Sequence, residues 1–294
     1  MADLYLNISK PRKDVKKILG QANHFLITIL VGLNYVEKND VALPADFSTS
    51  WNPKDKSRSV ARSREYALNA SLAWAVDCLD AYFSKINKSP KLLEDTDVIN
   101  EIDGAGRSVY KSFDILSKYF ISGKSGKDDF LLYKSFVDLA IQWRNNTTHY
   151  NAENPIERES EKFLLEKAEL IEKEFCGLKI GEALKHFNDG DSPTFKEVTS
   201  LIRAIHNYIE ILDQYLLSRL DVKRYAYEIL NKFFSKKTRR RSYPTLTERR
   251  RDMKIKNILQ GWAFSDEKTG CGTCLCDAAL KQISDDLIKS WAKK

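Results

Sequence analysis

The chain is poor in residues that break helices. Its 294 residues include only 12 glycines and 7 prolines, while hydrophobic residues make up 43% and charged residues 30%. Long periodic stretches with so few breakers are typical of an all-α protein. This composition describes an ordinary globular protein, and the length allows one large domain or two modest ones with an ample core.

Further absences bear on location and chemistry. The N-terminus lacks the basic-then-apolar order of a signal peptide, and the longest apolar run, residues 25–33, is too short to span a bilayer. Five cysteines, an odd number, do not suggest a disulfide framework, so the sequence predicts a cytoplasmic protein without membrane contact. It contains no Gly-rich phosphate loop, no Ser-His-Asp order and no paired carboxylates, and no cofactor is expected.

Positive charge is concentrated near the C-terminus. The chain carries a net charge of +7, but residues 221–294 hold 18 Lys and Arg against 9 Asp and Glu, whereas the first 220 hold 30 against 32. Ten of the cations fall within residues 236–256. This change of character predicts a helical domain over residues 1–235 and a small basic C-terminal region over residues 236–294, and it indicates a nucleic-acid partner.

Hydrophobic periodicity predicts the helices. They are expected at residues 12–35, 58–86, 104–120, 127–148, 154–175, 192–220 and on to 234. The apolar stripes are Ile18, Ala22, Phe25, Ile29 and Leu33 on the first helix, Ala67, Ala70, Trp74, Cys78 and Tyr82 on the second, and Leu132, Phe136, Leu139 and Trp143 on the fourth. Asn154 is expected to cap the fifth helix, with Pro155 in its first turn and Glu157 two residues further on.

The fourth predicted helix ends in the string RNNTTH, residues 144–149. Its arginine supplies a permanently charged fork for phosphate oxygens and its histidine a base that titrates near neutral pH, the two groups that metal-free RNA cleavage needs. On a regular helix, Arg144 lies about 110° to one side of the apolar stripe and His149 about 110° to the other. The two residues share a face only if the last turn, rich in poor helix formers, is distorted; the alternative is that they come from two chains.

This string resembles the signature of the HEPN superfamily of all-α ribonucleases, which reads Arg-x4–6-His with Asn, Asp or His favoured directly after the Arg. None of the other three histidines has an arginine at these spacings. The resemblance implies an antiparallel multi-helix bundle, covering about residues 10–176 in architecture, followed by the small basic appendage. It also implies a metal-independent endoribonuclease.

The resemblance further implies roles for three residues. His149 would act as general acid or base while an RNA 2′-hydroxyl attacks its own phosphate. Arg144 would hold the phosphate and stabilise the transition state, and Asn145 would orient His149 or the phosphate.

HEPN sites usually form where two copies of the motif face each other, so a homodimer with a composite active site is expected, and the apolar flank with Trp143 suits such an interface. HEPN proteins of this size commonly serve as toxins or antiphage defence effectors, which implies a possible regulatory or antitoxin protein as a further partner. Two alternatives stay open: a non-catalytic HEPN-like module that binds RNA or protein, and the toxin half of a pair with a nucleotidyltransferase antitoxin.

The basic region offers a second candidate site. Six arginines are predicted to bind the RNA backbone: Arg239, Arg240, Arg241, Arg249, Arg250 and Arg251. Tyr243 and Trp262 would be available for base stacking. The same run is also typical of a solvated, partly disordered linker, and the two interpretations are compatible.

Three cysteines near the C-terminus, Cys271, Cys274 and Cys276, have metal-like spacing. A structural zinc site normally needs four ligands, and nothing in the sequence selects a fourth from the remaining candidates, which are Cys176, His186 and Asp277. No metal is therefore predicted, and the expected structure is a turn of small residues with buried thiols.

Overall fold

The computed structural model describes residues 3–44, 46, 51, 53–123, 127–149, 152–270 and 272–292. Within these residues the protein is an all-α multi-helix bundle with one small sheet, which confirms the predicted fold class. The helices are α1 (Lys10–Lys38), α2 (Lys56–Ile86), α3 (Thr96–Gly104), α4 (Val109–Gly123), α5 (Lys127–Thr148), α6 (Arg158–Glu166), α7 (Ala168–Glu174), α8 (Ile180–Asn188), α9 (Phe195–Arg219), α10 (Val222–Phe233), α11 (Lys237–Ser242), α12 (Glu248–Gln260) and α13 (Asp277–Ala292). The strands are β1 (Leu4–Leu6), β2 (Phe264–Ser265) and β3 (Thr273–Leu275).

The chain divides into two compact units. The first contains Met1–Val15, Ala81–Gly123 and Ile209–Lys294, and the second contains Lys16–Asp80 and Lys124–Tyr208. In the first unit α10, which precedes the predicted boundary after residue 235, packs against α12 and α13, which follow it. The boundary itself stays a prediction.

The core of the second unit is built on α5. All four residues of its predicted stripe are buried, which confirms the periodicity of this helix: Leu132, Phe136, Leu139 and Trp143. The ring of Phe136 lies 4.8 Å from that of Phe175, and the ring of Trp143 meets Phe187 edge-on at 5.8 Å. Because aromatic side chains bury large areas, these contacts fix α5 firmly within its unit.

The first unit contains a sheet that the helical pattern does not predict. Strand β1 lies between β2 and β3 and pairs antiparallel with both, so that Tyr5 faces Ser265 on one side and Cys274 on the other. Leu4 and Leu6 point into the core and are fully buried. Strands of two or three residues are too short to give a period-2 signal, which is why the sequence does not reveal them.

A buried carboxylate organises the start of α1 in the same unit. Asp213 on α9 accepts hydrogen bonds from the backbone N–H of Ser9 (3.1 Å), from the Ser9 hydroxyl and from the Tyr82 hydroxyl (3.0 Å). Burial raises the pKa of Asp213. Nearby, Arg12 pairs with Glu210 at 2.5 Å. The carboxylate thus ties three distant parts of the chain together.

Two helix predictions are wrong at their boundaries. The helix expected over residues 104–120 begins only at Val109, because Gly106 turns the chain at φ +65°. The preceding helix α3 was not predicted; Asp95 caps it by accepting from the N–H groups of the next turn. The helix expected to start at Asn154 begins only at Arg158, and it is interrupted at Lys167.

Two predicted core stripes are only partly buried. On α1, Ala22 is buried but Phe25 and Ile29 are exposed, and on α2, Cys78 and Tyr82 are buried but Trp74 is exposed. The bounds of the two helices are confirmed to within three residues. On α1 and α2 the apolar periodicity therefore correctly predicts the helices but only part of their burial.

Candidate functional site

Helix α5 stays regular to the end of the motif. The N–H of His149 donates to the carbonyl of Asn145 at 3.0 Å, the bond that an undistorted helix makes. The hydroxyl of Thr148 donates to the carbonyl of Arg144 at 2.7 Å. The distorted last turn that would bring Arg144 and His149 onto one face is therefore absent, and the two side chains point about 140° apart around the helix.

Arg144 is half-buried and already holds an anion. Its Nη2 lies 2.8 Å from Oδ1 of Asp77 on α2, and its Nη1 donates to Oδ1 of Asn145 at 3.1 Å. Its Nε is buried without a hydrogen-bond partner. Asp77 is 63% exposed, so its carboxylate is an exchangeable partner, and a phosphate oxygen can satisfy the same guanidinium.

His149 lies at the exposed C-terminal end of α5. Its backbone carbonyl accepts from the N–H of Ala152 at 3.1 Å, which starts the turn out of the helix. Within the described part of the chain no hydrogen bond or ion pair joins its ring to Arg144 or to Asn145. The imidazole is accessible to solvent, and in one chain the structure does not bring it to the guanidinium.

Asn145 and Asn146 have different partners, and only the first was singled out from the sequence. Asn145 shares a face with His149 but accepts its side-chain hydrogen bond from Arg144. Asn146 clamps the following loop: its Oδ1 accepts from the N–H of Asn154 at 2.8 Å and its Nδ2 donates to the Asn154 carbonyl at 3.1 Å. The sequence signal for this contact is Asn146 within the motif, followed eight residues later by Asn154 and Pro155.

Asp138 holds the same loop from its other end. Its Oδ2 accepts from the N–H of Glu157 at 3.0 Å, and burial raises the pKa of this carboxyl. These bonds explain the late start of α6, because Asn154 and Glu157 give their N–H groups to α5 and not to a helix cap of their own. The loop after the motif is thereby fixed to the helix that carries it.

Trp143, which was expected to flank a dimer interface, is buried within its own chain. It is 1% exposed, and its indole N–H donates to the carbonyl of Asp191 at 3.0 Å. A cleft of about 430 Å³ opens beside it, lined by Asn146, Thr147, Asn154 and Asp189 among others. Neither Arg144 nor His149 lines this cleft, so the predicted catalytic side chains lie on other faces of α5.

The predicted RNA-binding arginines lie on two helices of the first unit. Arg239, Arg240 and Arg241 belong to α11 and Arg249, Arg250 and Arg251 to α12, so all six lie on helices. Among the six, the exposed members are Arg241, Arg249 and Arg250. The guanidinium of Arg239 stacks on the ring of Phe233 at 4.2 Å.

Tyr243 and Trp262 were both predicted to be available for base stacking, and for Tyr243 the prediction is wrong. It is fully buried, its hydroxyl bonds to that of Ser284 at 2.9 Å, and its ring packs on Phe234 at 4.6 Å. Trp262 is half-buried. Tyr243 instead anchors the basic segment to the core of its unit.

The cysteine cluster lies partly outside the described residues, since Cys271 is one of those not described. Cys274 and Cys276 are exposed, which corrects the expected buried thiols. Among the described residues no group of three His, Cys, Asp or Glu side chains is arranged to hold a metal ion. No described helix is both long enough and apolar enough to cross a bilayer.

No protein-family model, curated protein or solved structure matches the chain. The HEPN resemblance therefore rests on the motif and its helical setting alone.

Proposed function

We propose that the chain is an endoribonuclease that cleaves RNA without a metal ion. The observation that carries the proposal is the state of Arg144: a half-buried guanidinium held by the exposed carboxylate of Asp77, with a buried Nε that has no partner. Such a group is a preorganised anion site on the same helix as an exposed histidine. These are the groups that the HEPN motif requires.

The reaction follows from the chemistry of the two side chains. The 2′-oxygen of a ribose forms a bond to the adjacent phosphorus, and the bond from phosphorus to the 5′-oxygen breaks. His149 takes the proton of the 2′-hydroxyl or supplies one to the leaving 5′-oxygen. Arg144 stabilises the charge that builds on the phosphoryl oxygens, and Asn145 holds Arg144 in place. The products carry a 2′,3′-cyclic phosphate and a 5′-hydroxyl.

The regular end of α5 favours a site shared by two chains. Arg144 and His149 of one helix diverge by about 140°, so one phosphate is best approached by the arginine of one copy and the histidine of another. The proposal therefore includes a homodimer with a composite active site. A cytoplasmic toxin or antiphage effector, restrained by a regulatory or antitoxin protein, is the biological role that the motif suggests.

The proposed reaction is tested by incubating the purified protein with total RNA and mapping the ends. Cleavage is expected to persist in EDTA, because a guanidinium and an imidazole carry the chemistry, and to leave cyclic phosphates. RNA methylated at the 2′-oxygen should resist, since its nucleophile is blocked. A dependence on magnesium, or equal cleavage of the methylated RNA, would contradict this mechanism.

We further propose that the basic segment binds the RNA backbone. Replacing Arg239, Arg240, Arg241, Arg249, Arg250 and Arg251 by Ala is expected to weaken RNA binding and to lower the salt slope of log K by up to about 4 for a single strand. Binding measured between low and high salt checks this. The control removes four exposed cations of the second unit, Lys162, Lys173, Lys179 and Lys185. Equal losses per charge removed in both variants would show only a general charge effect.

A non-catalytic binding module, including one that acts with a nucleotidyltransferase antitoxin, is the second candidate. The ion pair between Arg144 and Asp77 supports this second candidate if its role is only to join α5 to α2. The two candidates differ in one result, since a binding module retains RNA but leaves it uncut even at stoichiometric protein concentrations.

A further inference from the structure

The largest apolar exposure in the described residues is on α1 and α2. Seven large side chains of these helices are exposed: Phe25, Ile27, Ile29, Val31, Tyr35, Tyr66 and Trp74. Tyr66 is 78% exposed and Phe25 61%. At 100° per residue, Phe25 and Ile29 lie on one side of α1, whereas Ile27, Val31 and Tyr35 lie on the opposite side. Phe25, Ile29, Tyr66 and Trp74 border one groove, and such a contiguous set, unlike single exposed apolar residues, marks an interaction surface.

The end of α1 and the beginning of α2 are mostly uncovered. On α1, no described residue after Leu26 is buried, and on α2 the only buried residue before Ala67 is Val60. A groove of about 440 Å³ runs between them, lined by Phe25, Ile29, Tyr66, Ala70 and Trp74 together with smaller residues. The periodic stripes of both helices have the apolar pattern of residues that pack in a core, but in a single chain part of each stripe is exposed to solvent.

We propose that a second copy of this chain covers the α1–α2 face. The first argument is area. Phe25, Ile29, Tyr66 and Trp74, which border the groove, together expose roughly 450 Å² of apolar surface, given about 200 Å² for a whole aromatic side chain. A protein interface is a little over half apolar, so this area matches the apolar part of one standard-sized partner surface. A standard stable interface buries about 800 Å² on each partner.

The second argument is the self-complementary order of residues along α2. Tyr66, Ala70 and Trp74 follow one another at intervals of four, so they lie in one row with the small, exposed Ala70 at its centre. Two such helices crossing antiparallel at Ala70 place Tyr66 of each copy against Trp74 of the other. A two-fold axis requires this kind of reciprocal pairing.

Charge at the ends of the row fits the same arrangement. Arg62 lies one turn before Tyr66 and Asp77 about one turn after Trp74, and both are exposed. An antiparallel crossing brings them close to each other at both ends of the contact, opposite in sign. Since Asp77 also holds Arg144, the contact ends beside the proposed anion site. The dimer contact rests on the apolar face and does not depend on the ribonuclease reaction.

The test measures the mass of the full-length protein in solution against concentration, by sedimentation equilibrium. The wild type is expected to be a dimer, and Ala70→Glu is expected to raise the dissociation constant about 30-fold or more, because it buries a charge at the centre of the contact. The matched control is Leu165→Glu, which places the same charge on an exposed leucine of α6. A monomeric wild type, or a dimer that tolerates Ala70→Glu as well as it tolerates Leu165→Glu, overturns the proposal.

A cross-linking measurement keeps the proposal testable if Ala70→Glu fails to fold. A residue that lies on a two-fold axis meets its own copy, and Ala70 is the residue at the axis of the proposed dimer. Ala70→Cys should therefore form a disulfide-linked dimer under mild oxidation, while Leu165→Cys should not. Both are made after Cys176, Cys271, Cys274 and Cys276 are changed to Ser. If the protein is instead a monomer that binds an acidic helical peptide or anionic vesicles through this face, the occupant of the face is that partner and the proposal of a second copy is overturned. RNA cleavage by a protein that proves monomeric would overturn this interface and the shared active site, but not the metal-free ribonuclease reaction.

Discussion

Replacing His149 by alanine is expected to abolish RNA cleavage while leaving the fold intact. The ring is exposed at the end of α5 and makes no side-chain hydrogen bond with the described residues, so its removal opens no cavity and breaks no bond. A positioned general acid or base contributes about 10²–10⁴-fold to a rate. The measurement is the single-turnover cleavage rate of a defined RNA, with the thermal midpoint and the oligomeric mass recorded alongside.

The matched control for this loss is His24→Ala, which removes an exposed histidine from α1. It should cleave at close to the wild-type rate. Arg144→Lys should lose activity on the scale of His149→Ala, because a point charge replaces a planar fork. A His149→Ala variant that cuts RNA at the wild-type rate would remove the motif from the chemistry and leave the binding-module interpretation.

The sequence predicts α5 well because everything that defines this helix is local. Its buried stripe follows helical periodicity, and its last turns keep helical hydrogen bonds despite the run of Asn and Thr. Propensity favours a distorted end, but packing of Trp143 against Phe187 and the clamp of Asn146 on Asn154 hold the turn in register. Tertiary contacts thus decide the one point at which propensity and periodicity disagree.

Two errors in the prediction share a physical cause, which is that the deciding partner is not adjacent along the chain. Asn154 and Pro155 have the residue types of a helix start, but the N–H groups there bond to Asn146 and Asp138 on α5. Tyr243 has the residue type of a stacking platform, but it is buried against Ser284. Neither partner is indicated by local pattern, so the boundary and the burial had to come from the structure.

The candidate site was predictable as a set of residues but not as a geometry. Arg144, Asn145 and His149 follow from the motif, whereas the anion that Arg144 holds, Asp77, lies 67 positions earlier on α2. The helical period does predict the divergence of arginine and histidine once the helix is known to be regular. That divergence leads to the sharpest test of a shared site.

Mixing two inactive variants is expected to restore activity if the site is built from two chains. In a dimer of Arg144→Ala with His149→Ala, one site receives the intact arginine of one copy and the intact histidine of the other, while the second site lacks both. Random exchange makes half of the dimers mixed, and each mixed dimer has one working site of two. Activity should therefore recover to about one quarter of the wild-type rate.

The controls for this recovery use the same two proteins. Each variant alone, at the same total concentration, should stay at its inactive rate, and mixing either variant with the double variant Arg144→Ala/His149→Ala should restore nothing, because no pairing then unites an intact arginine with an intact histidine. Subunit exchange is verified independently by mass, using a tag on one variant. If the verified mixed dimer stays inactive while the wild type cleaves, arginine and histidine must act within one chain, and α5 must then unwind at Thr147 and Thr148 when RNA binds, since a regular helix keeps the two side chains about 140° apart.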